Sequence, residues 1–357
     1  MRRVARLGVT GFLAVAVAFV VGAAPALACG GLVGPGGTVQ LARTTTLAAY
    51  HDGVEHYVTS FEYRGGGAKF GSIIPLPGIP AKVEKGGDWT LQRLIRETQP
   101  VPEALRAGVA LAAASDKAEV LLKTKVDALD ITVLRAGGTA VGTWAREHGF
   151  GLSPDAPEVL DFYAARSPIF LAASFDPTRA VDRNQRLGDG TPVHITIPTP
   201  NAWVPLRILG LGLRPGDAIQ ADVYLLTDRR PALLPKPSRG GGVQLEQSRP
   251  ASASLVADLR RDRGMDWLPG SDMWLSYLKV ATTAGALKHD LAVDASGQGT
   301  PSRVAAGLSL SEAGGAGTMP IEVGGDGLPP FVWPAVALLG VAAVALVAIG
   351  LSRVARR

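Results

Sequence analysis

Thr38-Val39-Gln40-Leu41-Ala42-Arg43-Thr44-Thr45-Thr46-Leu47-Ala48-Ala49-Tyr50, then His51-Asp52-Gly53, then Val54-Glu55-His56-Tyr57-Val58-Thr59-Ser60-Phe61-Glu62-Tyr63, is the stretch on which the fold turns. Both long runs are rich in Thr, Val, Tyr and Phe, the residues that suit a pleated, half-buried strand. Asp-Gly between them is a strong hairpin signal, because glycine accepts the positive φ of a tight turn. His51 and His56 flank this turn, with Asp52 and Glu55 between them. A metal centre needs at least three converging ligands. A spacing of five puts two imidazoles on opposite faces of any strand they share, although a tight turn brings them closer. The pattern is read as a solvated hairpin tip, and no metal is assigned. His148, His194 and His289 are scattered and show no partners in the sequence.

Outward from the hairpin, the chain alternates short strand and helix signals. Phe70 to Pro77 predicts a strand ended by prolines. Leu91, Leu94 and Ile95 mark a short amphipathic helix closed before Pro100. Ala104 to Ala114 is alanine-rich and undefined in type. Val120–Val126 and Leu129–Leu134 read as strands. Thr139–His148 reads as a helix with Gly149 as its C-terminal cap. A second helix opens at Ser153–Glu158 and runs through Arg166, with acids in its first turn, where the helix dipole favours them. Ile169–Phe175, Val193–Ile197, Val204–Leu209 and Ile219–Leu226 supply further strands. Pro231, Pro235, Pro237 and Gly240–Gly242 read as a loop. A short charged helix follows at 253–263, and Trp267 to Val280 reads as core returning to the same domain. Hairpins with interspersed helices predict an α+β fold with a largely antiparallel sheet.

Few residues here carry chemistry. Gly30, Gly31, Gly34, Gly36 and Gly37 form a glycine-rich run, but a phosphate cradle lies between a strand and a helix N-terminus, and this run precedes a strand. Gly-x-Ser-x-Gly, His-Glu-x-x-His, a Walker loop and Cys-x-x-Cys are all missing from the sequence. Ser276-Tyr277-Leu278-Lys279 matches Ser-x-x-Lys, yet that chemistry needs the pair at a helix start, and Val280–Thr283 looks like a strand. Asp155, Glu158 and Asp161 have the spacing of paired carboxylates for glycoside chemistry. A dipole-stabilised helix start accounts for them better. No catalytic, cofactor-binding or metal residue is assigned. Cys29 is the sole cysteine, so it forms no intramolecular disulfide. It is read as a free thiol, a lipid site or an intermolecular bridge.

The charges are distributed by region. The 357 residues hold 36 Lys and Arg against 31 Asp and Glu. Arg2, Arg3 and Arg6 precede an apolar run from Leu7 to Ala24; Arg353, Arg356 and Arg357 follow one from Phe331 to Ser352. Neither end contains an acid. Setting aside these three arginines at each end leaves 30 bases against 31 acids, so the middle is near neutral. Such a middle does not support nucleic-acid binding, which needs a basic patch on the folded domain.

The first run has the basic, apolar and small-x-small parts of a signal peptide, with Ala26-Leu27-Ala28 before Cys29. A lipoprotein signal and an uncleaved anchor are the competing readings. The second run, roughly 22 residues at about 1.5 Å each, is long enough for a bilayer core of about 30 Å. Phe331 and Trp333 sit where an aromatic belt would lie, and the closing arginines stay inside. The expected organisation is 1–28 signal peptide, 29–296 extracytoplasmic domain, 297–328 flexible Gly/Ser/Ala-rich stalk, 329–352 transmembrane helix and 353–357 basic cytoplasmic tail.

Several motifs in order carry a resemblance. They are Ala28-Cys29-Gly30-Gly31, the hairpin followed by Ile74-Pro75-Leu76-Pro77, Trp144 to Phe150, Leu160-Asp161-Phe162-Tyr163, Pro205-Leu206-Arg207 and Val223-Tyr224-Leu225-Leu226. Over roughly residues 28 to 228 the chain resembles the exported bacterial family known as domain of unknown function 2330. That resemblance implies a location and a fold neighbourhood, and no mechanism or catalytic residue. The expectation for function is a single-pass surface protein, anchored in the bilayer by its C-terminal helix, that binds an envelope protein or cell-wall partner or serves a structural role. It has no cofactor and no nucleic-acid partner. The alternative is a hydrolase-type envelope enzyme.

Overall fold

A computed structural model of the chain describes residues 31–33, 40–64, 70–99, 119–175, 191–238, 242–270 and 272–308. The chain divides into Met1–Leu308 and Ser309–Arg357. The second unit lies wholly outside the described residues, as do Cys29, the apolar run at 7–24, the alanine-rich stretch at 104–114 and the expected membrane helix at 329–352. Among the described residues no helix is long and apolar enough to cross a membrane.

The hairpin forms as β2 (Gln40–His51) and β3 (Val54–Arg64), paired antiparallel from His51↔Val54 outward. Asp52 and Gly53 take φ values of 46° and 76°, the two positive angles that a type I′ turn needs. This hairpin is the centre of a seven-stranded sheet. On one side β2 pairs in parallel with β11 (Ala218–Thr227), followed by β14 (Trp274–Thr283) and β13 (Val243–Pro250). On the other side β3 pairs with β9 (Val193–Pro198) and then β5 (Lys82–Lys85). All of these pairings except β2–β11 are antiparallel.

A second sheet has the order β1-β4-β8-β7-β6, made of Gly31–Val33, Gly71–Pro75, Ile169–Phe175, Leu129–Arg135 and Glu119–Val126. The glycine-rich lead-in therefore contributes backbone to a strand, Gly31–Val33 against Gly71–Ile73, where a phosphate cradle would need a helix N-terminus. A small third sheet joins β10 (Ala202–Val204), β15 (Leu291–Asp294) and β12 (Ala232–Leu234).

Strand alternation builds the layers. Ala48, Tyr57, Ile195, Val223, Leu225 and Leu278 on one face of the large sheet bury against Ile74, Ile131, Val133, Leu171 and Ala173 of the second sheet. On the opposite face, Leu47, Ala49, Val58, Tyr224, Leu226 and Leu275 meet α1 (Thr90–Thr98) and α4 (Ala253–Leu259). The outer face of the second sheet, with Ile73, Leu134 and Phe170, is covered by α2 (Gly138–Glu147) and α3 (Ala156–Ala164). The result is an α+β sandwich of helices, sheet, sheet and helices.

Packing runs on into α5 (Arg303–Ala306), which Ser302 caps and which buries Ala305 and Ala306. Several stretches differ from the sequence expectation, among them β12, a strand at Ala232–Leu234 inside the stretch read as a loop, and β5 at Lys82–Lys85. Arg207–Gly210 is a 3-10 turn after the short strand β10, where a strand at Val204–Leu209 was expected. Pro205 removes a backbone donor there and ends the strand. Strands β13 and β15 had no signal of their own, since β13 is a polar edge and β15 spans four residues.

Candidate functional site: a polar row across the large sheet

Strands β2, β3, β9 and β5 and the residue just past the end of β11 bring titratable side chains to the same sheet face: His51, His56, His194, Glu84 and Asp228. The hairpin register explains the two nearest. His56 sits opposite Ala49, and His51 lies two residues further along the same strand, so both histidines leave the sheet on the face of Leu47 and Ala49. The expectation that a spacing of five separates the two imidazoles holds within one strand, but here a two-residue turn intervenes. Asp228 follows Thr227, which pairs with Tyr50 across the parallel ladder, and its Oδ1 lies 2.7 Å from His51 Nδ1. The other ring nitrogen of His51, Nε2, is 3.3 Å from Asp52 Oδ2.

Further along the row the groups are buried. His56 Nδ1 and His194 Nε2 are 3.0 Å apart, so one ring donates and the other accepts. Trp267 roofs the pair, stacking on His56 with centroids 3.6 Å apart and planes 6° from parallel. His194 is 2 % exposed, and its Nδ1 has no hydrogen-bond partner; Glu84 Oε1 is the nearest charge at 3.7 Å. Burial first, then the neighbouring charges of His194 and His51, lowers His56 from 6.5 to about 3. Burial likewise lowers His194 to about 4, against a smaller upward pull from Glu84. Both rings are neutral near pH 7 and available as a hydrogen-bonded dyad.

The strand's alternation sends Glu55 to the opposite face, into the core between the sheets. It is 1 % exposed, Oε2 accepts from the Trp203 amide at 3.4 Å, and Oε1 has no partner. Burial raises it from 4.5 to about 8, only partly offset by that amide, so it is a neutral acid at physiological pH.

The other sequence candidates are structural. Ser276 and Lys279 both lie on β14, three residues apart and hence on opposite faces; Ser276 is buried against Ser248, and Lys279 is exposed. Asp155 accepts from the Gly212 amide, Glu158 pairs with Arg207, and Asp161 packs against Gly138. His148 stacks on Trp144 and bonds its carbonyl at 2.7 Å. His194, Glu84, Asp228 and Trp267 were missed by sequence reasoning. Each is unexceptional beside its own neighbours, and only strand pairing between positions as much as 177 residues apart brings them together.

Elsewhere, recesses among the described residues indent the surface. One, of about 430 Å³, lies beside α4 near Val256, Ala257 and Arg260. Another, of about 270 Å³, is lined in part by Lys236, Lys288 and His289. Neither is lined by His51, His56 or His194.

Fold and site together define an α+β sandwich domain with a histidine–carboxylate row at one sheet end and no assembled nucleophile–base pair among the described residues. The chain belongs to the family described as an uncharacterized protein conserved in bacteria, DUF2330, whose sequence model matches residues 23–236. No curated protein matches it in sequence. Among solved structures it is similar to baculovirus P35, at 9 % identity and a TM-score of 0.38, over 72 % of this chain and 97 % of that one. A mutated baculovirus P35 after caspase cleavage gives 8 % identity and 0.33, over 71 % and 99 %. At these scores the likeness carries no argument about this chain.

Proposed function

We propose that this protein is a single-pass, membrane-anchored module of the bacterial envelope, whose domain outside the cytoplasm binds an envelope protein or cell-wall partner rather than turning over a substrate. The observation that carries this reading is the segregation of charge. Six arginines and no acids flank the two long apolar runs, while the folded middle is near neutral. Binding is favoured over hydrolysis by the separation of Ser276 from Lys279 and by the engagement of Asp155, Glu158 and Asp161 in helix and loop contacts.

Protease added to spheroplasts is the direct test of address. The domain should be removed and a C-terminal fragment spared; a domain left intact until the membrane is permeabilised would overturn the reading. Immobilised protein should retain an envelope component that buffer washes do not release.

A further inference from the structure

We propose that His51, Asp52 and Asp228 form a binding site for a divalent transition-metal ion at the tip of the central hairpin. The sequence alone supplies only two of these ligands. The parallel β2–β11 ladder adds the third by carrying Asp228 beside His51. One donor atom from each of the three residues lies within 4.8 Å of the others, close enough for one ion to draw them in.

Charge supports the same assignment. Two carboxylates flank one imidazole, Asp228 at Nδ1 and Asp52 at Nε2, and among the described residues neither has a Lys or Arg partner. The site therefore carries negative charge that a cation would neutralise. The donors are not all alike, which sets the class of ion. One imidazole nitrogen with two carboxylate oxygens suits zinc or manganese better than calcium, which takes six to eight oxygens. The turn is also held in place around the site. The Gly53 carbonyl accepts from the Thr199 amide at 3.0 Å, and the Tyr50 hydroxyl donates to the Thr199 carbonyl at 2.8 Å. Asp52 at 86 % side-chain exposure and His51 at 26 % leave an entry path, and water would complete the coordination sphere. Binding displaces any proton on the coordinating ring nitrogen to solvent, so no other reactant is needed.

Untagged full-length protein in detergent, stripped with chelator, should be titrated with zinc, manganese, magnesium and calcium chlorides by calorimetry. Zinc or manganese should bind at one equivalent, with magnesium and calcium at least about tenfold weaker. His51→Ala and Asp228→Asn should each weaken binding by about tenfold or more, while His289→Ala, a histidine outside the cluster, should leave it unchanged. Both cluster residues are partly exposed, so circular dichroism should confirm that the variants fold. X-ray absorption on the zinc-loaded protein should show one imidazole among oxygen ligands. Unchanged affinity in His51→Ala, two imidazoles in the first shell, or no uptake at millimolar metal would overturn the proposal, and His51 would then be an ion-paired hairpin residue only.

Discussion

Arg166–Asp290 and His56–His194 are two buried polar pairs in one domain, and they differ in how completely they are satisfied. Asp290 is fully buried, and both of its oxygens are occupied. Oδ1 accepts from the Tyr163 hydroxyl and the Arg207 amide, each at 2.8 Å, and Oδ2 accepts from Arg166 Nη2 at 2.6 Å. Tyr163 in turn accepts from the Ile208 amide at 2.8 Å. The Arg166 guanidinium lies 4.1 Å from the centroids of both Phe162 and Trp203, and it donates to the Ala305 carbonyl. Burial pushes the Asp290 carboxyl up, and Arg166 pulls it back. This knot ties α3, the turn at 207–210, β15 and α5 into one block. At the histidine pair, by contrast, His194 Nδ1 is left unpaired, and the row opens toward solvent at His51. A saturated cluster holds a fold together; an unsaturated one at a sheet end retains capacity for a ligand or a proton.

The sharpest way to break this contrast is at the saturated end. Asp290→Ala leaves Arg166 buried without its partner and should cost about 3–5 kcal/mol in urea denaturation. A loss below about 1 kcal/mol would mean the knot is not structural. Tyr163→Phe removes one hydroxyl that serves two partners and should cost about 1–3 kcal/mol, read from the same unfolding curves.

The open end should show itself in pH dependence, the smaller effect. His56 and His194 refuse protons that the unfolded chain accepts below 6.5. Their contribution is therefore present above that value and is lost as pH falls toward 4 and then 3. Glu55 acts in the opposite sense. It keeps its proton to about 8 when folded but releases it near 4.5 when unfolded, so its contribution fades as pH rises from 4.5 through 8. Melting temperature against pH should fall on both sides. Glu55→Gln should flatten the alkaline limb and His194→Gln the acid one. Profiles that do not change with either substitution would show that other groups set the pH response.

Much of the fold was legible because its signals are local. Asp52-Gly53 specified the turn, the Thr-, Val- and Tyr-rich runs on either side specified its two strands, and Gly149 at φ 80° ended α2 as expected. β13 and β15 escaped notice because neither has an apolar alternation long enough to stand out. The site was legible only in its nearest part. His51 and His56 were visible as a pair, but their common face follows from the hairpin register, and their partners arrive on strands distant in the chain. Asp290 also comes from beyond residue 236, where the family match ends, so the block it ties together is completed by the tail.

By itself, the sequence determined the local conformations, the α+β class and the segregation of charge to the two ends. Turn chemistry, side-chain periodicity and net charge are properties of neighbouring residues, and they need no knowledge of what lies across the sheet. Only the tertiary structure decided which titratable groups meet. Strand order places β11 beside β2 and β9 beside β3, and a hydrogen bond of 2.7 or 3.0 Å depends on that order and on a register in which a shift of one residue would turn each side chain to the other face.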